Sequence, residues 1–178
     1  PVVLTLDAST VPARPRVAAL TIAALAVITS LAGIGNRFAY DDGALIATND
    51  RVHSMHQWWL RFGEPYWPEL FGHALYRPIT MLGFTIQWTL GAGSPLVFHI
   101  VSILLYALCT VGVLLLARRM LTPTAAWLAA SIFAVHPVHV EAVANVVGQS
   151  ELLAGASVVF GAWWYMRARN AGAVPPRD

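Results

Sequence analysis

Two adjacent carboxylates are the first side chains in the sequence that could take part in a reaction or bind an ion. Asp41 and Asp42 lie between Tyr40 and Gly43, shortly after a long apolar segment. Beside a membrane, such a pair can act as a general base or hold a cation. Asp-Gly is also an ordinary turn dipeptide, so the start of a solvated loop is the alternative interpretation of the same residues.

A histidine-rich segment is the second candidate for chemistry. His136, His139 and Glu141 follow an apolar stretch that begins near Thr124. A helix starting there would carry His136 only about 18 Å along its axis, which leaves it at membrane depth. Ionisable groups at that depth are costly and indicate function. Pro137 predicts a kink or a break, because it frees the carbonyl group four residues earlier.

The spacing of these residues leaves a metal site and a structural role open. The pattern His-x-x-His-x-Glu suggests zinc. On a continuous helix, however, Glu141 points away from His136 and His139, so a site with three ligands requires the break. Histidines that cap helix ends at the membrane interface are the alternative interpretation.

A single arginine is the third candidate. Arg77 precedes Pro78, and proline is favoured at the first position of a helix. The planar guanidinium group of Arg77 suits a phosphate, whereas an arginine that snorkels to the membrane surface is the alternative. Two tryptophan pairs are more typical of membrane anchors than of sugar-stacking platforms: Trp58-Trp59 and Trp163-Trp164.

The composition indicates which solvent surrounds these residues. The chain is 57% hydrophobic and 11% charged, whereas soluble domains carry about a quarter charged residues. A lipid environment is therefore predicted. The net charge is only +2, and the absence of a dense basic cluster excludes a nucleic-acid partner. The single cysteine, Cys109, excludes a disulfide within the chain.

The apolar segments predict an all-α membrane protein with about four transmembrane helices. The first uncharged stretch has 19 residues. As a helix it is roughly 29 Å long, enough to cross a hydrocarbon core of about 30 Å. The predicted spans are 17–35, 97–117, 124–147 and 152–166.

A long outer loop, 36–95, separates the first two predicted spans. Its segment 52–62 carries Trp58 and Trp59 and predicts a short amphipathic helix at the interface. The apolar segment 79–90 gives only about 18 Å of helix, which is too short to cross the membrane. This second helix is expected to lie on the surface or to pack against the bundle.

Arginine pairs predict the orientation in the membrane. They lie on one side of a four-span arrangement: Arg14/Arg16, Arg118/Arg119 and Arg167/Arg169. Cytoplasmic loops carry an excess of such residues, so the tails 1–16 and 170–178 are predicted to be cytoplasmic. All six histidines then face outward. The chain starts at Pro1 and ends in a polar tail, which predicts a piece of a longer protein.

Five motifs occur together in this chain. The most specific is His-Pro-Val-His-Val-Glu-Ala-Val at 136–143. The others are Tyr-Asp-Asp at 40–42, Tyr-Arg-Pro-Ile-Thr at 76–80, Phe-His-Ile-Val at 98–101 and Val-Gly-Gln-Ser-Glu-Leu-Leu at 147–153. In order and spacing they resemble the transmembrane and tetratricopeptide repeat-containing protein O-mannosyltransferases and their bacterial relatives. The resemblance covers about residues 17–169 and matches only the N-terminal part of such a protein.

The resemblance implies a GT-C type membrane glycosyltransferase. Such an enzyme transfers a sugar, here mannose, from a polyprenyl- or dolichyl-phosphate donor to a protein Ser/Thr hydroxyl on the non-cytoplasmic face. Asp41 or Asp42 would be the catalytic base, and Arg77 is the candidate for the lipid phosphate. The implied pocket residues are Arg77, His136, His139 and Glu141.

The resemblance leaves the need for a divalent cation open and implies no other cofactor. A bacterial relative would lie in the inner membrane, with the bilayer, the donor lipid and the protein acceptor as its partners. Two other functions stay open. One is a non-enzymatic membrane scaffold or subunit, and the other is a membrane metal-binding protein that uses His136, His139 and Glu141.

Overall fold

The computed structural model describes residues 14–68 and 75–171. Within these ranges every regular element is helical, which confirms the predicted all-α fold. Short 3-10 and π turns separate the longer helices. The α-helices are α1 (Pro15–Ser30), α2 (Pro78–Gly91), α3 (Pro95–Ala117), α4 (Pro123–Val135), α5 (Val140–Ala144) and α6 (Gln149–Asn170).

Three helical segments among the described residues are long and apolar enough to cross a membrane: Pro15–Gly33, Pro95–Ala117 and Val146–Asn170. A fourth crossing is present if α4 and the segment Pro137–Ala144 count as one span, although the two are bent by 49°. These three to four candidate spans confirm the prediction of about four transmembrane helices.

The third predicted span, 124–147, is not one continuous helix. α4 ends at Val135, and His136 takes an extended conformation with φ −71° and ψ 126°. Proline disfavours helical geometry in the residue before it and has no N–H group to donate, so Pro137 ends the helix. The expected break is confirmed. The next long helix, α6, begins at Gln149 rather than at 152.

The loop after the first span differs from its prediction in one segment. The amphipathic helix predicted at 52–62 is wrong, because the structure has two separate 3-10 turns, Asp50–Val52 and Trp58–Phe62. Gln57 lies between them with φ 59°, a left-handed conformation that a right-handed helix cannot contain. The short helix predicted at 79–90 is confirmed as α2, with Pro78 at its start.

The chain divides into two compact units. The described residues of unit 1 are 14–29, 106–136 and 155–171, and those of unit 2 are 30–68, 75–105 and 137–154. The core of unit 1 is made of small residues of α1 and α4 packed with larger ones, and small residues let helices approach closely in a membrane. Its buried members are Ala18, Ile22, Leu114, Ala126 and Ala130.

Hydroxyl groups of unit 1 satisfy the carbonyl groups at the broken end of α4. Tyr106 donates its hydroxyl to the Phe133 carbonyl at 2.8 Å, and Thr29 donates to the Ala134 carbonyl at 3.0 Å. These are the carbonyl groups that the break deprives of regular helical partners. Side chains thus supply partners to backbone groups that the break would otherwise leave unsatisfied.

Unit 2 has an aromatic and aliphatic core that carries the candidate site. Its buried members are Leu45, Ile46, Val52, Tyr66, Met81, Phe84, Phe98 and Val146. They come from the loop after the first span, from α2, from the start of α3 and from the link between α5 and α6. In that link the backbone of Gly148 lies so close to α5 that an added Cβ would meet the Ala142 carbonyl oxygen at 2.4 Å.

Replacing Gly148 with Ala should destabilise the protein. The new methyl group has no room against the backbone of Ala142, and overpacking of this kind costs about 1–3 kcal/mol. The matched control is Gly155→Ala, where an added Cβ meets nothing within 4 Å. Thermal unfolding of the purified protein in detergent measures both. A Gly148→Ala midpoint as high as that of Gly155→Ala would contradict the close approach.

Candidate functional site

The candidate site of unit 2 is a cavity of about 210 Å³, called here the central cavity. Its charged lining residues are Asp41, Arg77, Glu141 and Glu151. Three of these were predicted as site residues from sequence, and they come together although they are far apart in the chain. Glu151 was missed, although it belongs to the motif at 147–153.

Two further cavities of unit 2 share walls with the central cavity. The Tyr40 cavity, of about 550 Å³, shares Asp41, Glu141 and Asn145 with it. The Ile79 cavity, of about 350 Å³, shares Arg77, Ser150 and Glu151 with it. Asp41 therefore lies on one shared wall of the central cavity, and Arg77 lies on the other.

The two adjacent carboxylates have opposite environments. Asp41 is exposed and lines two cavities, whereas Asp42 is 0% exposed. Tyr40, just before them, has φ 49°, which is an unusual conformation for a bulky residue. Tyr40 is also 90% exposed, and such backbone strain clusters at functional sites.

The buried carboxylate of Asp42 is held by backbone N–H groups from two distant segments. It accepts hydrogen bonds from Ala39 at 3.2 Å, from Val146 at 3.3 Å and from Val147 at 2.9 Å. With its amide nitrogen facing Asp42, Asn145 donates to both carboxylate oxygens at 3.0 and 3.2 Å. Asp42 thereby ties the loop after the first span to the link between α5 and α6.

Burial raises the pKa of Asp42 above the ordinary aspartate value of 3.8. The hydrogen bonds from Ala39, Val147 and Val146 oppose this rise, and so does the neighbouring His99. Burial is the larger effect, because removing a carboxylate from water penalises its charged form.

Arg77 has two partners inside unit 2. Its Nη1 donates to Ser150 Oγ at 2.7 Å, and its guanidinium carbon lies 5.0 Å from the centre of the Tyr66 ring. An arginine over an aromatic face is attracted to the ring by a cation–π interaction. These contacts hold the guanidinium group, which carries five N–H donors, on the wall of the central cavity.

The hydroxyl of Tyr66 stays protonated under physiological conditions. Burial raises the pKa of Tyr66 to about 12, and Arg77 opposes the rise. The negative charges of Asp42 and Asp41 add to the rise. Tyr66 was not predicted as a site residue, because nothing in the sequence of its loop distinguishes it from the other aromatic residues there.

Hydrogen bonds fix the backbone that carries Tyr66. Arg51 donates to the Pro65 carbonyl at 3.0 Å and to the Tyr66 carbonyl at 3.4 Å. The Tyr66 N–H group donates to the Leu75 carbonyl at 2.7 Å. Arg51 also pairs with Glu64 at 3.8 Å. The polar residues of this loop therefore hold the backbone of the cavity wall in place.

The predicted histidines are placed differently from Arg77 and Glu141. His139 lies in the 3-10 turn Pro137–His139 of unit 2 and is not a lining residue of the central cavity or the Tyr40 cavity. His136 lies at the end of α4 in unit 1. In residues 14–68 and 75–171, no three or more His, Cys, Asp or Glu residues are grouped to hold a metal ion.

Comparison with known proteins finds relatives along most of the chain. Protein O-mannosyl-transferase Tmtc2 of Drosophila melanogaster is 37% identical over 136 residues, which is 73% of this chain and 14% of that protein. Protein O-mannosyl-transferase TMTC2 of Homo sapiens is 33% identical over 150 residues, or 81% of this chain and 18% of that protein. Homo sapiens TMTC3 is 32% identical over 139 residues, or 76% of this chain and 15% of that protein.

This chain is a homologue of the TMTC protein O-mannosyl-transferases. The chain spans between 14% and 18% of the length of these three relatives, and their names describe the whole proteins. No family model and no solved structure matches the chain. The homology supports the resemblance carried by the motifs at 40–42, 76–80 and 136–143.

Replacing Asp42 with Asn should change the pH dependence of stability. In the unfolded chain the pKa of Asp42 is near 3.8, and burial raises it in the folded protein. Between these two pKa values the folded state keeps a proton that the unfolded state has lost. The contribution of Asp42 to the free energy of unfolding therefore falls as the pH rises through this interval. We therefore expect the stability of Asp42→Asn not to show this fall. Thermal unfolding measured between about pH 3.5 and 7 tests the expectation.

Asp41→Asn is the matched control for this measurement. Asp41 is exposed, so its replacement should leave the fall in stability in place. Equal pH dependence in the native protein and in Asp42→Asn would contradict a pKa that is raised by burial.

Proposed function

We propose that this chain forms the reacting centre of a membrane glycosyltransferase of the GT-C type. It would transfer mannose from a polyprenyl- or dolichyl-phosphate donor to a Ser/Thr hydroxyl of a protein acceptor. The observation that carries the proposal is the arrangement of the central cavity, with Asp41 on the wall shared with the Tyr40 cavity and Arg77 on the wall shared with the Ile79 cavity. Homology to named O-mannosyl-transferases supports it.

The exposed carboxylate of Asp41 is suited to act as the general base. In the proposed reaction it takes the proton of the acceptor hydroxyl while that oxygen forms a bond to the anomeric carbon of the sugar. The bond between that carbon and the lipid phosphate oxygen breaks, and the phosphate leaves with the electron pair. The buried Asp42 has no exposed surface with which to touch the acceptor, so Asp41 is the better candidate for this step.

Arg77 is suited to hold the phosphate. Its guanidinium group is held by Ser150 and Tyr66, and it is the only cation among the described residues that line the central cavity. A guanidinium group can bind two phosphate oxygens at once and stabilise the negative charge that grows on the leaving group. The apolar residues of the Ile79 cavity, beside Arg77, would receive the first part of the lipid chain.

The carboxylates of the central cavity are suited to bind the sugar. Glu141 and Glu151 are both exposed and line the central cavity, Glu141 on the wall shared with the Tyr40 cavity and Glu151 on the wall shared with the Ile79 cavity. Carboxylates accept hydrogen bonds from hydroxyl groups, which a hexose supplies in number.

The membrane orientation is part of the proposal. The arginine pairs favour cytoplasmic termini, with transfer on the non-cytoplasmic face and, for a bacterial relative, an inner-membrane location. Roles for His136 and His139 in the pocket, and a requirement for a divalent cation, stay predictions from sequence.

Asp41→Asn should abolish transfer while leaving donor binding in place. The variant keeps the shape of the side chain but cannot take a proton, and general base catalysis contributes about 10²–10⁴-fold to rate. Transfer of mannose from a polyprenyl-phosphate donor to a Ser/Thr peptide by the full native polypeptide measures kcat, and donor binding is measured separately. The control is Asp50→Asn, an exposed aspartate of the same loop outside the three cavities. Transfer by Asp41→Asn at the native rate would refute the assignment.

Arg77→Lys should weaken donor binding by at least about tenfold, because hydrogen bonds to charged groups are worth about 1.5–3 kcal/mol. Lysine keeps the charge but lacks the planar fork, the stacking on Tyr66 and the contact with Ser150. The KM for the donor reports the loss. Arg37→Lys, an exposed arginine that does not line the central cavity, is the control. An unchanged donor KM in Arg77→Lys would place the phosphate elsewhere.

A further inference from the structure

The link between α5 and α6 determines which side chains reach the central cavity. α5 ends at Ala144, Asn145 is extended with φ −97° and ψ 125°, and the 3-10 turn Val146–Gly148 leads into α6. On one continuous helix, Glu141 and Glu151 would be separated by about 15 Å along the axis. Because the helix is interrupted, both line the same cavity of about 210 Å³.

The local sequence weakens a helix here but does not forbid one. The link residues Asn145, Val146, Val147 and Gly148 are weak helix formers, but none is a proline, so each keeps the N–H group that a continuous helix would use. In a continuous helix the N–H groups of Val146 and Val147 would donate to carbonyl groups of α5, four residues earlier. In the structure they donate to the carboxylate of Asp42 instead, at 3.3 and 2.9 Å.

We propose that Asp42 is a positioning residue, whose buried carboxylate holds the link between α5 and α6 open so that Glu141 and Glu151 both face the cavity lined by Asp41. The relevance of this inference to transfer rests on the proposed function. Asp42 has the required geometry, because it is fully buried and bonded both to Ala39, on the Asp41 side, and to the link. The Asn145 amide completes the contact from the link side.

The close approach at Gly148 keeps the link within reach of Asp42. Its backbone touches Ala142 of α5, where an added Cβ would come within 2.4 Å of the carbonyl oxygen. Without a side chain at 148, the turn folds back onto α5 and brings two successive N–H groups toward one carboxylate. Neutral hydrogen-bond partners would hold these groups less strongly, because bonds to an ionised acceptor are about twice as strong.

The test is hydrogen–deuterium exchange of the full native polypeptide in lipid nanodiscs, read out on peptides that cover 140–150. We expect Asp42→Asn to speed exchange at the Val146 and Val147 amides at least tenfold, while peptides of α2 exchange as before. Asp41→Asn is the matched control and should leave the exchange of this link unchanged. Native exchange of the link in Asp42→Asn would overturn the proposal.

A second variant covers the case in which Asp42→Asn fails to fold, which faster exchange in α2 would reveal. Asp42→Asn combined with Asn145→Asp returns one carboxylate to the contact between the same two side chains. We expect this double variant to recover the slow exchange of α2 and part of the protection of the link. Recovery in α2 with an unprotected link would overturn the proposal.

Transfer kinetics separate positioning from catalysis. We expect Asp42→Asn to lower kcat at every pH and to keep the acidic limb of the pH–rate profile, because Asp41 remains as the base. Loss of that limb in Asp42→Asn, with native exchange at the link, would make Asp42 itself the base and overturn the proposal. If the native protein transfers no sugar from a polyprenyl-phosphate donor, the proposed function fails, whereas the exchange result still decides whether Asp42 holds the link.

Discussion

The carboxylate of Asp42 is the contact on which the geometry of the candidate site depends. It is removed from water, and a buried charge persists only where hydrogen bonds replace the lost hydration. Ala39, Val146 and Val147 supply those bonds from the backbone. Two segments about a hundred residues apart in the chain are thereby joined at one side chain, and each segment carries part of the central cavity.

The membrane sets a second constraint, which explains where irregular backbone is tolerated. A spanning helix can be interrupted only if the freed backbone groups find partners inside the protein. At the end of α4 the partners of the carbonyl groups are the hydroxyls of Tyr106 and Thr29. At the end of α5 the acceptor for the N–H groups is Asp42. Polar side chains thus bond the free backbone groups at both helix ends, and Asp42 at the second one also shapes the cavity.

Residue type together with the motif resemblance singled out Asp41, Arg77 and Glu141 in the sequence, and all three line the central cavity. The break at Pro137 was predicted because proline lacks an N–H group. The break after Ala144 was not, since it depends on a carboxylate about a hundred residues away in the chain. The same reason hid the different environments of Asp41 and Asp42, which are neighbours in sequence although one is exposed and the other is buried.

The helix predicted at 52–62 failed for a related reason. Apolar and polar residues in this segment fit a helix, yet Gln57 adopts a left-handed conformation and divides it into two turns. The loop instead follows contacts of the His53 ring outside this segment. The ring bonds the Ile46 carbonyl at 2.8 Å and stacks on Trp88 at 3.7 Å. Periodicity reports on one face of one element, so it cannot detect such contacts.

Two buried amide side chains fix how the first turn of α6 is rotated about the helix axis, and this rotation brings Ser150 to Arg77. Gln149 and Gln87 exchange two hydrogen bonds of 2.9 Å, and Gln149 also donates to the Phe98 carbonyl at 3.0 Å. Rotating α6 would leave these buried amides without partners, which is costly in an apolar interior. The first turn of α6 therefore has one favoured orientation relative to α2, and in that orientation the next residue, Ser150, accepts the hydrogen bond from Arg77. The polar interior of unit 2 consequently specifies the position of the arginine at the cavity wall, in addition to satisfying its own hydrogen bonds.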